Sequence, residues 1–126
     1  MPTLSDYVVA NERTRLHRRG PLELDFATPR RQSGSPALLD IEMLGGTLPG
    51  QRRMRVRLIL NGAAISTPIV DRWDRQGRCS FTRRNVTIPP GTLRDGENRL
   101  VLEPRFESAG DYMLLGTVAV HFRQAV

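Results

Sequence analysis

The feature that most constrains this 126-residue chain is a regular alternation of apolar and charged residues. Along 54–60 every second residue is apolar, and Arg55 and Arg57 stand between them. Successive side chains of a β-strand point to opposite faces, so this pattern predicts a strand with one buried face. Asn61-Gly62 follows at once, and both residues tolerate the positive φ of a two-residue hairpin turn. The segment is therefore predicted to turn back and form a second strand at 63–66.

The same period of two recurs along the chain, whereas long 3.6-residue periods are absent. Further strands are predicted at 7–10, 22–26, 39–43, 79–82, 85–88, 99–103 and 112–122. In the last of these, the even positions from Tyr112 to Phe122 are predicted to face the core. The segments 12–20 and 104–111 are predicted to be loops, and Pro90 is predicted to open a short helical turn that ends at Arg94.

Eight or nine short strands, with a turn about every ten residues, are typical of a β-sandwich. The length suits one domain, and the 39% hydrophobic content is that of a folded protein. We therefore predict an all-β, single-domain β-sandwich of jelly-roll type over 1–126. Whether 1–20 pack as a strand or form a peripheral arm stays open at this point.

Several classes of protein do not fit the composition. No stretch approaches the roughly 18 apolar residues of a membrane span, so membrane insertion is not expected. The single cysteine, Cys79, excludes an internal disulfide, and we interpret it as a small buried residue. His17 and His121 lack a carboxylate pattern beside them, so no metal site, cofactor or catalytic set is predicted and the chain is not interpreted as an enzyme. The first thirty residues fit neither a secretory nor a transit peptide, which favours a cytoplasmic location.

Positive charge is concentrated in the middle of the chain. All 19 basic residues are arginine, which a GC-rich genome explains as well as selection for bidentate contacts to anions does. Residues 50–85 hold nine arginines and two aspartates, a balance of +7. We predict a basic face here, which would meet an anionic ligand or an acidic protein surface, or would simply be a solvated sheet face. It is formed by Arg52, Arg53, Arg55, Arg57, Arg83 and Arg84.

Trp73 is the best candidate for a binding residue, since charged residues flank it on both sides. Exposed in a loop, it would stack on a sugar ring, and Arg72, Asp74 and Arg75 would hydrogen-bond the ligand. The alternative is a partly buried tryptophan that closes one end of the sandwich. Nucleic-acid binding is not favoured, because Trp73 and Phe81 are the only aromatic residues within 50–85.

Three segments carry a resemblance to a known family: the strand and Asn-Gly turn at 56–62, the stretch 86–102 with its Gly96-Glu97-Asn98-Arg99-Leu100 run, and the final strand that follows Gly110-Asp111-Tyr112. In this order they resemble the galactose-binding-like jelly rolls that accompany polysaccharide lyases and glycoside hydrolases. The resemblance covers about 37–123. It implies a β-sandwich with a ligand site in loops at one end and often a structural calcium. Calcium needs several carboxylates, and those of this sequence are scattered and form no dense loop cluster.

Two functions from different classes remain after this reasoning. The first is a non-catalytic module that binds carbohydrate through one end or one face of the sandwich. The second is a structural or adaptor subunit of a larger assembly, either a homo-oligomer or a hetero-oligomer, since arginine is enriched at protein interfaces.

Overall fold

Two antiparallel β-sheets pack face to face in this protein. The computed structural model describes residues 3–31, 34–48, 50–73 and 81–125. Ten strands occur in this part of the chain: β1 Thr3–Asn11, β2 Arg15–His17, β3 Leu22–Thr28, β4 Ala37–Gly45, β5 Arg53–Leu60, β6 Ala63–Ser66, β7 Ile69–Asp71, β8 Thr82–Ile88, β9 Gly96–Pro104 and β10 Met113–Ala125. The all-β sandwich predicted from the sequence is confirmed.

The chain crosses repeatedly from one sheet to the other, at β3, β4, β5, β8, β9 and β10. The first sheet has the order β1-β10-β4-β8, with β2 pairing beside the start of β10. The second has the order β3-β9-β5-β6, with β7 pairing beside the start of β5. The apolar sides of both sheets form one core, in which Ile41, Val56, Leu58 and Leu102 have essentially no exposed surface. No helix of the described residues is long and apolar enough to cross a membrane.

Several local predictions differ from the structure. A short strand, β2, lies within the segment predicted to be a loop at 12–20. The residues from Pro90 to Arg94 form a hydrogen-bonded turn and bend instead of a helical turn, with the amide of Thr92 donating to Pro89. The strand predicted at 85–88 begins earlier, at Thr82. Cys79 lies outside the described residues.

The last strand contains a change of side that the sequence pattern conceals. Its pairing with β4 shifts between Leu115 and Val118. Before this bulge the odd residues Met113 and Leu115 are buried, and after it the even residues Val118, Val120 and Phe122 are. The prediction that all even positions face the core is therefore wrong for Tyr112 and Leu114, because a bulge inserts one extra residue and exchanges the two faces.

One end of the sandwich is closed by asparagine side chains. Asn61 and Gly62 have the positive φ angles, 51° and 84°, predicted for the β5–β6 hairpin. The side-chain amide of Asn61 donates to Asn98 Oδ1, and the side-chain amide of Asn98 donates to the hydroxyl of Thr28 on β3. Gly96, with a φ of 96°, starts the strand that carries Asn98. These hydrogen bonds join the β5–β6 turn to β9 and to β3.

The opposite end is closed by a buried ion pair. The side chains of Arg72 and Asp111 are almost completely buried, and Arg72 Nη1 donates to Asp111 Oδ1 at 2.5 Å. Arg72 also donates to the carbonyls of Arg53 at the start of β5 and of Gly46 just after β4. One guanidinium therefore joins the two sheets to the loop between β9 and β10.

The carboxylate of Asp111 holds its own loop as well. Its two oxygens accept hydrogen bonds from the backbone amides of Glu107 and Tyr112. Burial would raise the pKa of Asp111, but the hydrogen bond from Arg72, the two backbone amides and the positive charge of Arg72 together lower it below its ordinary value. The loop at 105–112 and the end of β7 are thus fixed to each other.

We expect replacement of Asp111 by alanine to destabilise the protein by about 3 kcal/mol or more, because the buried charge of Arg72 would lose its partner. Urea unfolding followed by tryptophan fluorescence and circular dichroism would measure this loss. Asp25→Ala is the matched control, since Asp25 forms an exposed ion pair with Arg99 and its removal should cost far less. Equal losses in the two variants would contradict the role given to Asp111.

The ion pair also predicts a dependence of stability on pH. Because the pKa of Asp111 is lowered on folding, its stabilisation is fully present above the unfolded value of about 3.8 and is lost as pH falls through the folded value. Asp111→Asn should therefore be much less stable than the wild type at pH 7, and the difference should shrink below pH 4. Thermal unfolding from pH 7 to pH 3 would measure it, and a constant difference would refute it.

Candidate functional site

Strand β7 places its two sides in very different surroundings. Along β7 and the two residues that follow it, burial alternates. Val70 and Arg72 are buried, whereas Ile69, Asp71 and Trp73 are exposed. This alternation is that of a strand which lies over the core. Trp73 therefore faces outward because Arg72 faces inward.

Trp73 is 40% exposed, and its backbone is held from both sides. Its amide donates to the carbonyl of Gly45 at 2.9 Å, and its carbonyl accepts a hydrogen bond from the hydroxyl of Thr47 at 3.3 Å. The preceding residue is the buried Arg72, which makes a β-bridge with Gly45. The indole is thus carried by a fixed backbone and not by a free loop, which reduces the entropy lost when a ligand orders it.

The close approach at Gly45 and Gly46 leaves no room for larger residues. A Cβ on Gly45 would lie 3.0 Å from the side chain of Arg72, and one on Gly46 would lie within 2.6 Å of the ring of Tyr112. The guanidinium carbon of Arg18 lies over the ring of Tyr112, 5.9 Å from its centroid. Two adjacent glycines therefore let β7 and the Tyr112 ring pack on either side of one backbone segment.

The exposed side of β7 is continuous with the arginines of β5. In the antiparallel pairing, Asp71 is opposite Arg53 and Ile69 is opposite Arg55. Residues opposite each other project to the same face of a sheet. Asp71 and Ile69 consequently share the outer surface of the second sheet with the β5 arginines, and Trp73 follows two residues beyond Asp71 at the end of this surface, which we call the β5–β7 surface.

Two shallow depressions mark this surface. One, of about 360 Å³, is lined by Arg55, Arg57, Thr67, Glu103, Pro104 and Arg105. The other, of about 260 Å³, is lined by Gln51, Arg53, Arg55, Ile69, Arg105 and Glu107. Arg55 and Arg105 border both. Arg105 was not predicted from the sequence. It comes from the loop after β9, and the hydrogen bond from its backbone amide to the carbonyl of Arg55 holds it here.

The remaining predicted site residues lie elsewhere. Arg72 is an interior residue, so the hypothesis that it hydrogen-bonds an outside ligand is corrected. Arg83 and Arg84 are on β8 in the other sheet and do not extend the row of arginines on β5. Arg52 is exposed just before β5, while Asp74 and Arg75 lie outside the described residues.

Arg83 is engaged in an ion pair of its own. Its Nη2 lies 2.6 Å from Asp40 Oδ2, and this hydrogen-bonded contact raises the pKa of Arg83 and lowers that of Asp40. Arg84 donates to the carbonyl of Ile69, so it ties the edge of one sheet to the other. Both side chains have structural partners.

The outer face of the first sheet carries a further depression, of about 430 Å³. Tyr7, His121, Leu38 and Thr87 form a row across its four strands. Tyr7 is 62% exposed, and its ring centroid is 5.8 Å from that of His121. In the part of the chain with described side chains, no group of three or more histidine, cysteine, aspartate or glutamate residues could hold a metal ion.

Comparison with known proteins identifies the fold through structure alone. No protein-family profile matches the sequence, and no curated protein is similar to it. A β-porphyranase of glycoside hydrolase family 86 from the human gut bacterium Bacteroides plebeius superposes with a TM-score of 0.67 and 18% identity. That match covers 98% of this chain but only 21% of the porphyranase, so the chain corresponds to about a fifth of that protein.

Two matches cover nearly the whole of both proteins. The CBM36-1 domain of a multidomain xylanase, from the hindgut metagenome of Trinervitermes trinervoides, has a TM-score of 0.57 and 13% identity, over 98% of this chain and 100% of the domain. A family 35 carbohydrate-binding module from Clostridium thermocellum has a TM-score of 0.52 and 12% identity, over 94% and 90%. The chain therefore has the β-sandwich, jelly-roll fold of carbohydrate-binding modules.

Proposed function

We propose that this protein is a non-catalytic carbohydrate-binding module that holds a sugar against Trp73 on the β5–β7 surface. The observation that carries this proposal is the exposed indole on a backbone fixed by Gly45 and Thr47. The apolar face of a sugar ring packs well on such an indole, while its hydroxyl groups need donors and acceptors around the rim.

Groups of both kinds lie on the β5–β7 strand pair that leads to Trp73. Asp71 is two residues away on the same side of β7 and is 67% exposed at its side chain. Arg53 faces it across the strand pair, at 3.9 Å. A carboxylate accepts from hydroxyl groups and a guanidinium donates to them, so this pair supplies directional contacts at the edge of the indole.

The full-length structural matches support a module without catalysis, because two of them are themselves carbohydrate-binding modules. They give no support to the alternative of a structural or adaptor subunit. That alternative enters the test as an outcome: a stable oligomer at low and high salt that binds no glycan would replace the present proposal.

The test is a broad glycan array, followed by titration of the best ligand into wild-type protein and Trp73→Ala. We expect Trp73→Ala to lose about 2 kcal/mol of binding free energy, or roughly 30-fold in Kd, as is typical for a central aromatic contact. Trp73→Phe should retain part of the affinity.

Tyr7→Ala is the matched control, since it removes another exposed aromatic residue from the opposite sheet. It should leave the affinity within about twofold of the wild type, and thermal unfolding should show that all variants are folded. Binding lost in Tyr7→Ala and kept in Trp73→Ala would move the site to the first sheet. No binding to any glycan on the array would refute the proposal.

A further inference from the structure

The arginine at the centre of the β5–β7 surface has no side-chain partner among the residues that the structure describes. Arg55 borders both depressions, and its guanidinium makes no ion pair and no hydrogen bond with the part of the chain that the structure describes. Only its backbone carbonyl is engaged, by the amide of Arg105. Its fork of donors is therefore open toward solvent at a concave position.

The neighbouring arginines are only loosely paired. The contacts of Arg53 with Asp71, Arg57 with Glu103 and Arg105 with Glu107 are 3.8–3.9 Å long, which is too long for hydrogen bonds. Elsewhere on the sandwich, Arg83 and Arg99 lie 2.6 and 2.9 Å from their carboxylates and do form hydrogen bonds. The arginines around Arg55 thus keep most of their donors available.

The acids of the surface restrict the kind of anion that fits. Glu103 and Glu107 stand beside the arginines, and their charges would repel the closely spaced phosphates of a nucleic acid. The same carboxylates accept hydrogen bonds from hydroxyl groups. A ligand with separated oxyanions and many hydroxyl groups satisfies both sets, and an acidic sugar polymer has this chemistry.

The arrangement also suits an extended ligand. Arg53, Arg55 and Arg57 alternate along one face of β5, so neighbours are spaced about 7 Å apart. Across the strand pair, Asp71 and Ile69 lead toward Trp73. A chain of sugars would therefore contact the indole at one point and the arginines farther along.

We propose that the two depressions that Arg55 borders on the β5–β7 surface recognise the carboxylate or sulfate groups of an acidic polysaccharide. The inference rests on the proposed function, since it names the class of sugar that the same surface takes. Bidentate donation from a guanidinium to an oxyanion supplies the preference over neutral polymers.

The experiment compares five probes by affinity electrophoresis and calorimetry on the full chain. Polygalacturonate carries carboxylates, κ-carrageenan carries sulfates, and galactomannan is neutral. A DNA duplex tests a phosphate polymer, and polyglutamate tests negative charge in a polymer without sugars. We expect Arg55→Ala to weaken binding of at least one acidic polymer about tenfold and to leave galactomannan unaffected. Trp73→Ala should weaken every glycan that binds.

Arg99→Ala is the control for lost charge, because Arg99 lies on the same sheet but is held by Asp25 and Glu23. It should change affinity by less than about twofold. Arg55→Lys, which keeps the charge and loses the planar fork, should behave more like Arg55→Ala than like the wild type. Binding of the acidic polymer should also fall as salt rises from 50 to 500 mM.

The two proposals fail in different ways. Binding of galactomannan through Trp73, with no preference for either acidic polymer, would overturn the inference and leave the proposed function standing. Equal losses in Arg55→Ala and Arg99→Ala, or DNA or polyglutamate bound as tightly as the acidic polysaccharides, would overturn the inference as well. No binding to either acidic polysaccharide would overturn the inference, and only the further failure to bind any glycan on the array would overturn the proposed function as well.

Discussion

The rest of this structure depends on the contact between Arg72 and Asp111, two charges removed from water at one end of the sandwich. Pairing offsets the cost of burying them, and removal of either partner would leave the other uncompensated. The contact joins residues 39 positions apart in sequence and also reaches the carbonyls of Arg53 and Gly46. We expect a pair of apolar residues to pack there as well, but not to fix which strand ends meet.

The fold could be predicted from the sequence wherever one strand has one buried side throughout. The alternation along 54–60 and the Asn61-Gly62 turn specify the hairpin without knowledge of any other strand. The prediction failed in β10, where the bulge after Leu115 exchanges the two faces. Gly116 lies in this bulge, its carbonyl accepts from the buried Asn11, and a Cβ there would crowd Glu42. The neighbouring strands determine where this bulge forms, and the only sign of it in the sequence of β10 is Gly116.

The candidate site could also be predicted only in part, because local pattern does not show which strands pair. Trp73 was singled out because charged residues flank it, and the structure leaves it 40% exposed, while its role in binding stays a prediction. Arg72 was misassigned, although Val70 two residues earlier carried the signal that places both on the inner side of β7. Its partner Asp111 could not be found from local pattern, and neither could the pairing that sets Ile69 and Asp71 beside the β5 arginines, since both depend on which strands lie next to each other.

The two sides of β7 perform connected tasks. The inner side anchors the strand through Arg72, and the outer side presents Ile69, Asp71 and Trp73 beside the arginines of β5. A strand of three residues has few hydrogen bonds of its own to hold it, so the buried guanidinium supplies much of its position. Loss of the ion pair should therefore move the indole relative to Arg53 and Arg55, although no charge on the β5–β7 surface has changed. The position of β7 in the surface therefore depends on a buried ion pair that lies beneath it.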